Sequence, residues 1–219
     1  MDDEDNAAGR RSGRRAAEQC IVQRPPRRGV LSVQRGRIRR VDAAAGFALF
    51  DTALGRCAIG WNDDGRVVAS SLPGSDDRAT TSRFAAAGPA DPPEQIAHAV
   101  AGVVALFGGD AVDLREVPVD LDDVAEFDCA VYAVARTITV GSTMTYGEVA
   151  RALGDPGAAR SVGQALGRNP VPVIVPCHRV VAAGGHIGGF SAPGGAATKR
   201  RMLAIEARHT PGTLAVFGT

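Results

Sequence analysis

Cys177 and His178 are adjacent, and together they supply a nucleophile and the base that could activate it. A free thiol has a pKa of about 8.5 and is mostly protonated at neutral pH. A nearby imidazole can take that proton and leave a thiolate. A third group, usually a carboxylate, then fixes the imidazole tautomer. Glu206 is the only acid after Cys177 and the nearest candidate in sequence, with Asp155 and Glu148 behind it. A Cys-His pair on its own is more often a buried structural cysteine beside a surface histidine. The preceding stretch constrains this one. Pro170, Pro172 and Pro176 force an extended path and forbid a helix. Val171, Val173, Ile174 and Val175 bury that path, so Cys177 ends a rigid apolar segment.

Elements on both sides must hold this segment. A helix is expected from Asp122 or Asp123 through about 138, with Phe127, Val131, Val134, Ala135 and Ile138 on one face. Thr145 and Glu148 have capping-box spacing, and a short helix should follow with Val149, Ala150 and Leu153 apolar, stopped by Gly154. Asp155, Pro156 and Gly157 turn the chain into a second helix over about 158–166, which Gly167 stops. Two short helices joined by a tight turn form the helix-turn-helix pattern. The second is led by Arg160 and carries Ser161, Gly163 and Ala165, small residues that let a helix approach a groove floor. After the Cys-His pair, residues 198–207 read as a helix with Met202, Leu203 and Ile205 apolar.

The first half reads differently. Residues 47–50, 57–61 and 66–71 are short β-type runs, with Gly55 and the Asp63-Asp64-Gly65 cluster as turns. Residues 73–93 read as a loop, 94–107 as a helix with Ile96, Val100, Val103, Val104 and Phe107 at helical spacing, and 111–121 as one more strand. His98 is a surface helix residue in this reading. The fold class is therefore α+β, with a small antiparallel-sheet N-terminal domain (46–121) and a mainly α C-terminal domain with a helix-turn-helix (122–208). An Arg-rich tail (1–45) and a short tail (209–219) flank them.

Charge is segregated along the chain. Residues 1–40 carry 11 Arg against 5 acids, residues 41–130 carry 5 Arg against 16 acids, and residues 131–219 carry 9 Lys and Arg against 3 acids. A basic final third suits a module that faces phosphate. The four cysteines are widely and irregularly spaced with no C-x-x-C pair, which argues against a disulfide framework and a zinc site. No apolar run reaches the roughly eighteen residues of a membrane span, and no secretory signal is visible, so the expected location is cytoplasmic.

The Pro176-Cys177-His178-Arg179-Val180 core, with Asn169 and Pro170 ahead of it, resembles the active-site signature of the O6-alkylguanine-DNA alkyltransferases (methylated-DNA–protein-cysteine methyltransferases). Residues 145–150 and 158–166 resemble that family's helix-turn-helix, and residues 188–191 and 199–206 its substrate loop and last helix. The resemblance covers roughly residues 125–207, a long ordered string of matches. It implies that Cys177 accepts the alkyl group from O6-alkylguanine in double-stranded DNA, once and irreversibly. His178 would deprotonate it through a water, Glu206 would orient His178, and Asn169 would brace the turn. Tyr146 would contact the guanine or help rotate the phosphate, Arg160 would fill the space left by a flipped nucleotide, and Val180 backbone and Ser191 would recognise the base. The family reads the minor groove.

Departures are the Ala192-Pro193 insertion before the paired glycines and Arg201 where an aromatic is often found; His186 reads as a surface turn residue. No cofactor and no metal are expected, and the protein is expected to act as a monomer. The alternative is a non-catalytic sensor of alkylated DNA, but such relatives replace the cysteine. A cysteine hydrolase would leave the helix-turn-helix without a purpose.

Overall fold

Gly55, at φ +123°, lets the chain reverse between β1 (Gly46–Thr52) and β2 (Gly55–Trp61), which pair antiparallel. A second turn, closed by the Asn62 side chain on the Arg66 N–H (2.9 Å), leads to β3 (Val67–Ser71). The sheet order is β1-β2-β3, so among the described residues β3 keeps one edge free of strand partners. These are the three runs expected from sequence. The computed structural model describes residues 44–209; the Arg-rich tail up to residue 43 and residues 210–219 lie outside the described residues.

Two expectations for the first half are corrected. The stretch 73–93 holds a short helix, α1 (Asp77–Thr81), because Asp76 accepts the Ala79 N–H (2.7 Å) at its start. Five residues are too few to leave a periodic pattern. Residues 111–121 form no strand; they touch β3 at a single bridge, Val67 to Val119. Pro118 has no N–H to extend a ladder, and Asp113 is occupied locally by Arg115. Helix α2 (Glu94–Gly108) buries Ile96, Ala99, Val103, Leu106 and Phe107 and ends at Gly109 in a left-handed conformation. Val104 points outward at 39% exposure, and His98 is exposed.

The expected long helix begins later, as α3 (Glu126–Arg136), capped by no side chain. A turn from Leu121 to Val124 delays it, and Asp122 uses its N–H on Asp120. Phe127 is 38% exposed, and the inner face is Cys129, Val131, Tyr132, Val134 and Ala135. Next come β4 (Met144–Thr145), parallel to β5 (Val180–Val181), then α4 (Tyr146–Ala152) and α5 (Ala159–Gly167). Tyr132 donates to the Ala165 carbonyl (2.8 Å), and Arg168 grips buried Asp128 with two bonds of 2.8 Å, so α3 braces the far end of α5. The last helix, α6 (Gly195–Glu206), starts three residues before the expected position.

One apolar cluster joins Ile59, Trp61, Val67 and Ile96 of the first half to Val131, Val149, Val162, Val171, Val175, Cys177 and Val180 of the second. The architecture is α+β, with the sheet ahead of the helices. Among the described residues, no helix is long and apolar enough to cross a membrane.

The capping box is complete: Thr145 Oγ1 accepts the Glu148 N–H (3.2 Å), and Glu148 accepts the Thr145 N–H (2.5 Å). Thr145→Ala should therefore lower stability by about 1 kcal/mol in urea unfolding, and Thr145→Ser should restore most of it.

Candidate active site

The segment before the cysteine is a turn tied to itself. Asn169 Nδ2 donates to the Val175 carbonyl (2.9 Å), and its Oδ1 accepts the Val171 N–H (3.0 Å). Val175 N–H reaches the Val171 carbonyl (2.9 Å), and Cys177 N–H the Val175 carbonyl (2.8 Å). Within this turn Val173 has φ +78°, the single positive value among described non-glycine residues. A β-branched residue there is strained by roughly 1–3 kcal/mol and persists only where its surroundings impose it.

Cys177 opens a 3-10 turn through Arg179, with the cysteine 7% exposed and His178 fully buried. His178 Nε2 lies 2.9 Å from Glu206 Oε1. Arg179 holds the same carboxylate from the other side, Nε on Oε2 and Nη2 on Oε1, both at 2.9 Å, while its Nη1 donates to the Ile138 carbonyl (2.7 Å). Burial works to raise the Glu206 carboxyl, but His178 and the Arg179 guanidinium overrule it and hold it at about 2. Burial pulls His178 below its ordinary value, against the pull of Glu206. A neutral ring facing a carboxylate must donate from Nε2. Its Nδ1, buried and with no partner among the described residues, is then the acceptor nitrogen.

Burial also pushes the Cys177 thiol up, opposed by the Asn169 side chain, the Lys199 ammonium and the N–H groups of Cys177 and His178. Lys199 is itself buried. It donates to the Val180 carbonyl (2.6 Å) and more loosely to Gly189 (3.4 Å), and burial brings its pKa down to about 8. The site thus combines a reluctant thiol, an uncharged base and a cation that favours the thiolate.

The family profile described as "6-O-methylguanine DNA methyltransferase, DNA binding domain" matches residues 126–208. A methylated-DNA–protein-cysteine methyltransferase of Mycolicibacterium paratuberculosis is 43% identical over 126 residues, covering 57% of this chain and 73% of that protein. One of the same description from Methanothermobacter thermautotrophicus is 34% identical over 146 residues, 67% of this chain and 76% of that one. The chain belongs to the methylated-DNA–protein-cysteine methyltransferase family. The fold agrees: a crystal structure of Mycobacterium tuberculosis O6-methylguanine methyltransferase is 32% identical with a TM-score of 0.64. That of the Mycobacterium tuberculosis OGT in complex with DNA is 30% identical with a TM-score of 0.61; each comparison covers 79% of this chain and 99% of the other.

Within this methyltransferase framework, Asn169, Cys177, His178 and Glu206 come together. The other four candidates lie on neighbouring elements. Tyr146 is half-buried, its hydroxyl donating to the Gly189 carbonyl (3.4 Å) and its ring 5.7 Å from Lys199 Nζ. Arg160 is exposed in the first turn of α5 and pairs with no side chain among the described residues. Val180 is buried, with its N–H on Cys177 and its carbonyl on Lys199. Ser191 is exposed and donates to the Gly167 carbonyl (3.1 Å), tying its loop to the end of α5. His186 is exposed just after the 183–185 turn. Arg201 donates to the carbonyls of Ala53 and Leu54, joining α6 to the β1–β2 turn.

Sequence reasoning gave no role to Arg179 or Lys199. The signal for Lys199 was its spacing: 199, 202, 203 and 206 share one helix face, and all four are buried.

Glu206→Gln should leave Arg179 an uncompensated buried cation and cost about 3–5 kcal/mol. The folded carboxyl lies at about 2 against an ordinary 4.5, so its stabilisation is complete above pH 4.5 and is lost as pH falls towards 2. Acid unfolding should show that limb in the native protein and lack it in the variant.

Proposed function

We propose that this protein repairs DNA by moving a methyl group from O6-methylguanine to Cys177, in a single irreversible event. The observation that carries the reading is the buried Cys177-His178-Glu206 arrangement, with its 2.9 Å histidine–carboxylate contact, in a member of this family. DNA is the partner, as it is in the complex of the Mycobacterium tuberculosis relative.

His178 Nδ1 accepts the thiol proton through a water. Glu206 keeps the ring in the tautomer that can do so, and Arg179 keeps Glu206 ionised, so the proton does not pass on to the carboxylate. The thiolate attacks the methyl carbon: a C–S bond forms, the C–O6 bond breaks, and its electron pair returns to the purine. The guanine anion takes back a proton, and thiol plus O6-methylguanine become thioether plus guanine. A thioether is a stable product that water does not cleave, so each molecule would react once.

The methyl carbon is out of reach inside a duplex, so the nucleotide has to leave the stack at a cost of roughly a few kcal/mol. Arg160, exposed at the start of α5 with no side-chain partner among the described residues, is suited to occupy the gap. Tyr146 and Ser191 would meet the extruded base, and the Val180 backbone would do so only by giving up its bonds to Cys177 and Lys199.

The test is intact mass after mixing with a duplex oligonucleotide carrying one O6-methylguanine. A stoichiometric gain of one methylene (about 14 Da) on Cys177 is expected, absent in Cys177→Ala. Binding without gain in the native protein would favour the sensor reading. Arg160→Ala should slow reaction with the duplex at least tenfold, roughly, while leaving that with free O6-methylguanine base within about twofold, because only the duplex has a gap to fill.

A further inference from the structure

The turn that ends at Cys177 is held from outside as well as from within. Pro170 and Pro172 have no N–H, so they can meet a neighbouring strand only as acceptors. The free edge of β3 supplies the donors. Ser70 N–H reaches the Pro170 carbonyl (3.1 Å) and Ser70 Oγ the Pro172 carbonyl (2.7 Å). Arg83, between α1 and α2, sends one nitrogen to both the Ser70 carbonyl (2.6 Å) and the Pro170 carbonyl (3.0 Å). The residue after these two prolines is the strained Val173.

We propose that Ser70 and Arg83 are positioning residues for methyl transfer, clamping the 170–172 turn in its strained form so that Cys177 stays aimed at its substrate. This rests on the reading of Cys177 as the methyl acceptor. A strained loop needs an external restraint, because its own relaxation would otherwise carry the nucleophile away. The path is short: Pro172 adjoins Val173, Val175 is tied to Val171 and Asn169, and Cys177 N–H is bonded to Val175. Arg83 has no carboxylate partner among the described residues, and burial pulls its guanidinium below its ordinary value. Simple packing would not need a charge in such a place. The first half of the chain therefore contributes to the reaction through the turn it holds.

The experiment compares the full-length protein with Ser70→Ala and Arg83→Met in single-turnover transfer from the O6-methylguanine duplex. Hydrogen exchange of peptides spanning 169–177 is followed in parallel. Both variants should lower the maximal rate about tenfold while the half-saturating protein concentration changes less than about twofold, since misplacing a reacting atom affects the chemical step. Exchange in 169–177 should speed up, with α2 and α3 unchanged. Adding Val173→Gly to Arg83→Met should recover part of the rate, because glycine adopts φ +78° without strain. A native maximal rate in both variants, unchanged exchange in 169–177, or faster exchange spread equally over α2 and α3 would each overturn the proposal. If the native protein transfers no methyl group, the reading of Cys177 fails instead, and exchange in 169–177 still decides whether the clamp exists.

Discussion

A carboxylate with no exposed surface has to collect donors, and those that Glu206 collects are the two residues that follow the nucleophile. His178 and Arg179 take opposite sides of it, three bonds of 2.9 Å in all. Such a buried charge is tolerated only when it is fully paired. That requirement fixes the last turn of α6 against the 3-10 turn at 177–179. It also sets the electrostatics: the arginine satisfies the charge, so the histidine can stay neutral, as the proposed base must. A histidine alone with the carboxylate would be driven towards the imidazolium and lose that role.

Lys199 lies two helical turns before Glu206 on the same face of α6. One helix therefore delivers an anion to the base and a cation to the nucleophile. Lys199 is anchored on the Val180 carbonyl, directly after the 3-10 turn, so its charge stays close to the thiol however the exposed loop at 189–195 moves. Burial alone would keep Cys177 protonated. The cation, the Asn169 amide and the two N–H groups oppose that penalty.

The outward side is built on other terms. Helices α4 and α5 bury Val149, Ala150, Val162, Ala165 and Leu166 and leave Arg151, Arg160 and Arg168 at the surface. Two anchors from α3, Tyr132 on Ala165 and Asp128 on Arg168, hold α5 at its C-terminal end. The N-terminal end, with Arg160, is exposed among the described residues, an arrangement that suits the groove contact proposed for this helix.

Much of this was legible from local rules. Period-two runs and glycine turns located β1 to β3, and the Thr145–Glu148 spacing located α4 from its cap. Three prolines marked the segment before the cysteine, and the only acid beyond Cys177 put Glu206 ahead of Asp155 and Glu148 as the candidate carboxylate. These features depend on neighbours a few residues apart. Local rules failed where distant contacts competed: Phe127 fitted an apolar stripe yet faces outward, and residues 111–121 looked β-like yet meet β3 at one point. The sequence by itself determined the family resemblance, the Cys177-His178 pair and the prolines that forbid a helix before it. Only the tertiary structure decided that Arg179 shares Glu206, that Lys199 is buried beside the thiol, and that β3 and Arg83 grip the reactive turn. Those pairings join residues 13 to 102 positions apart. Burial, which sets their strength, is a property of the packed chain and has no local pattern to read.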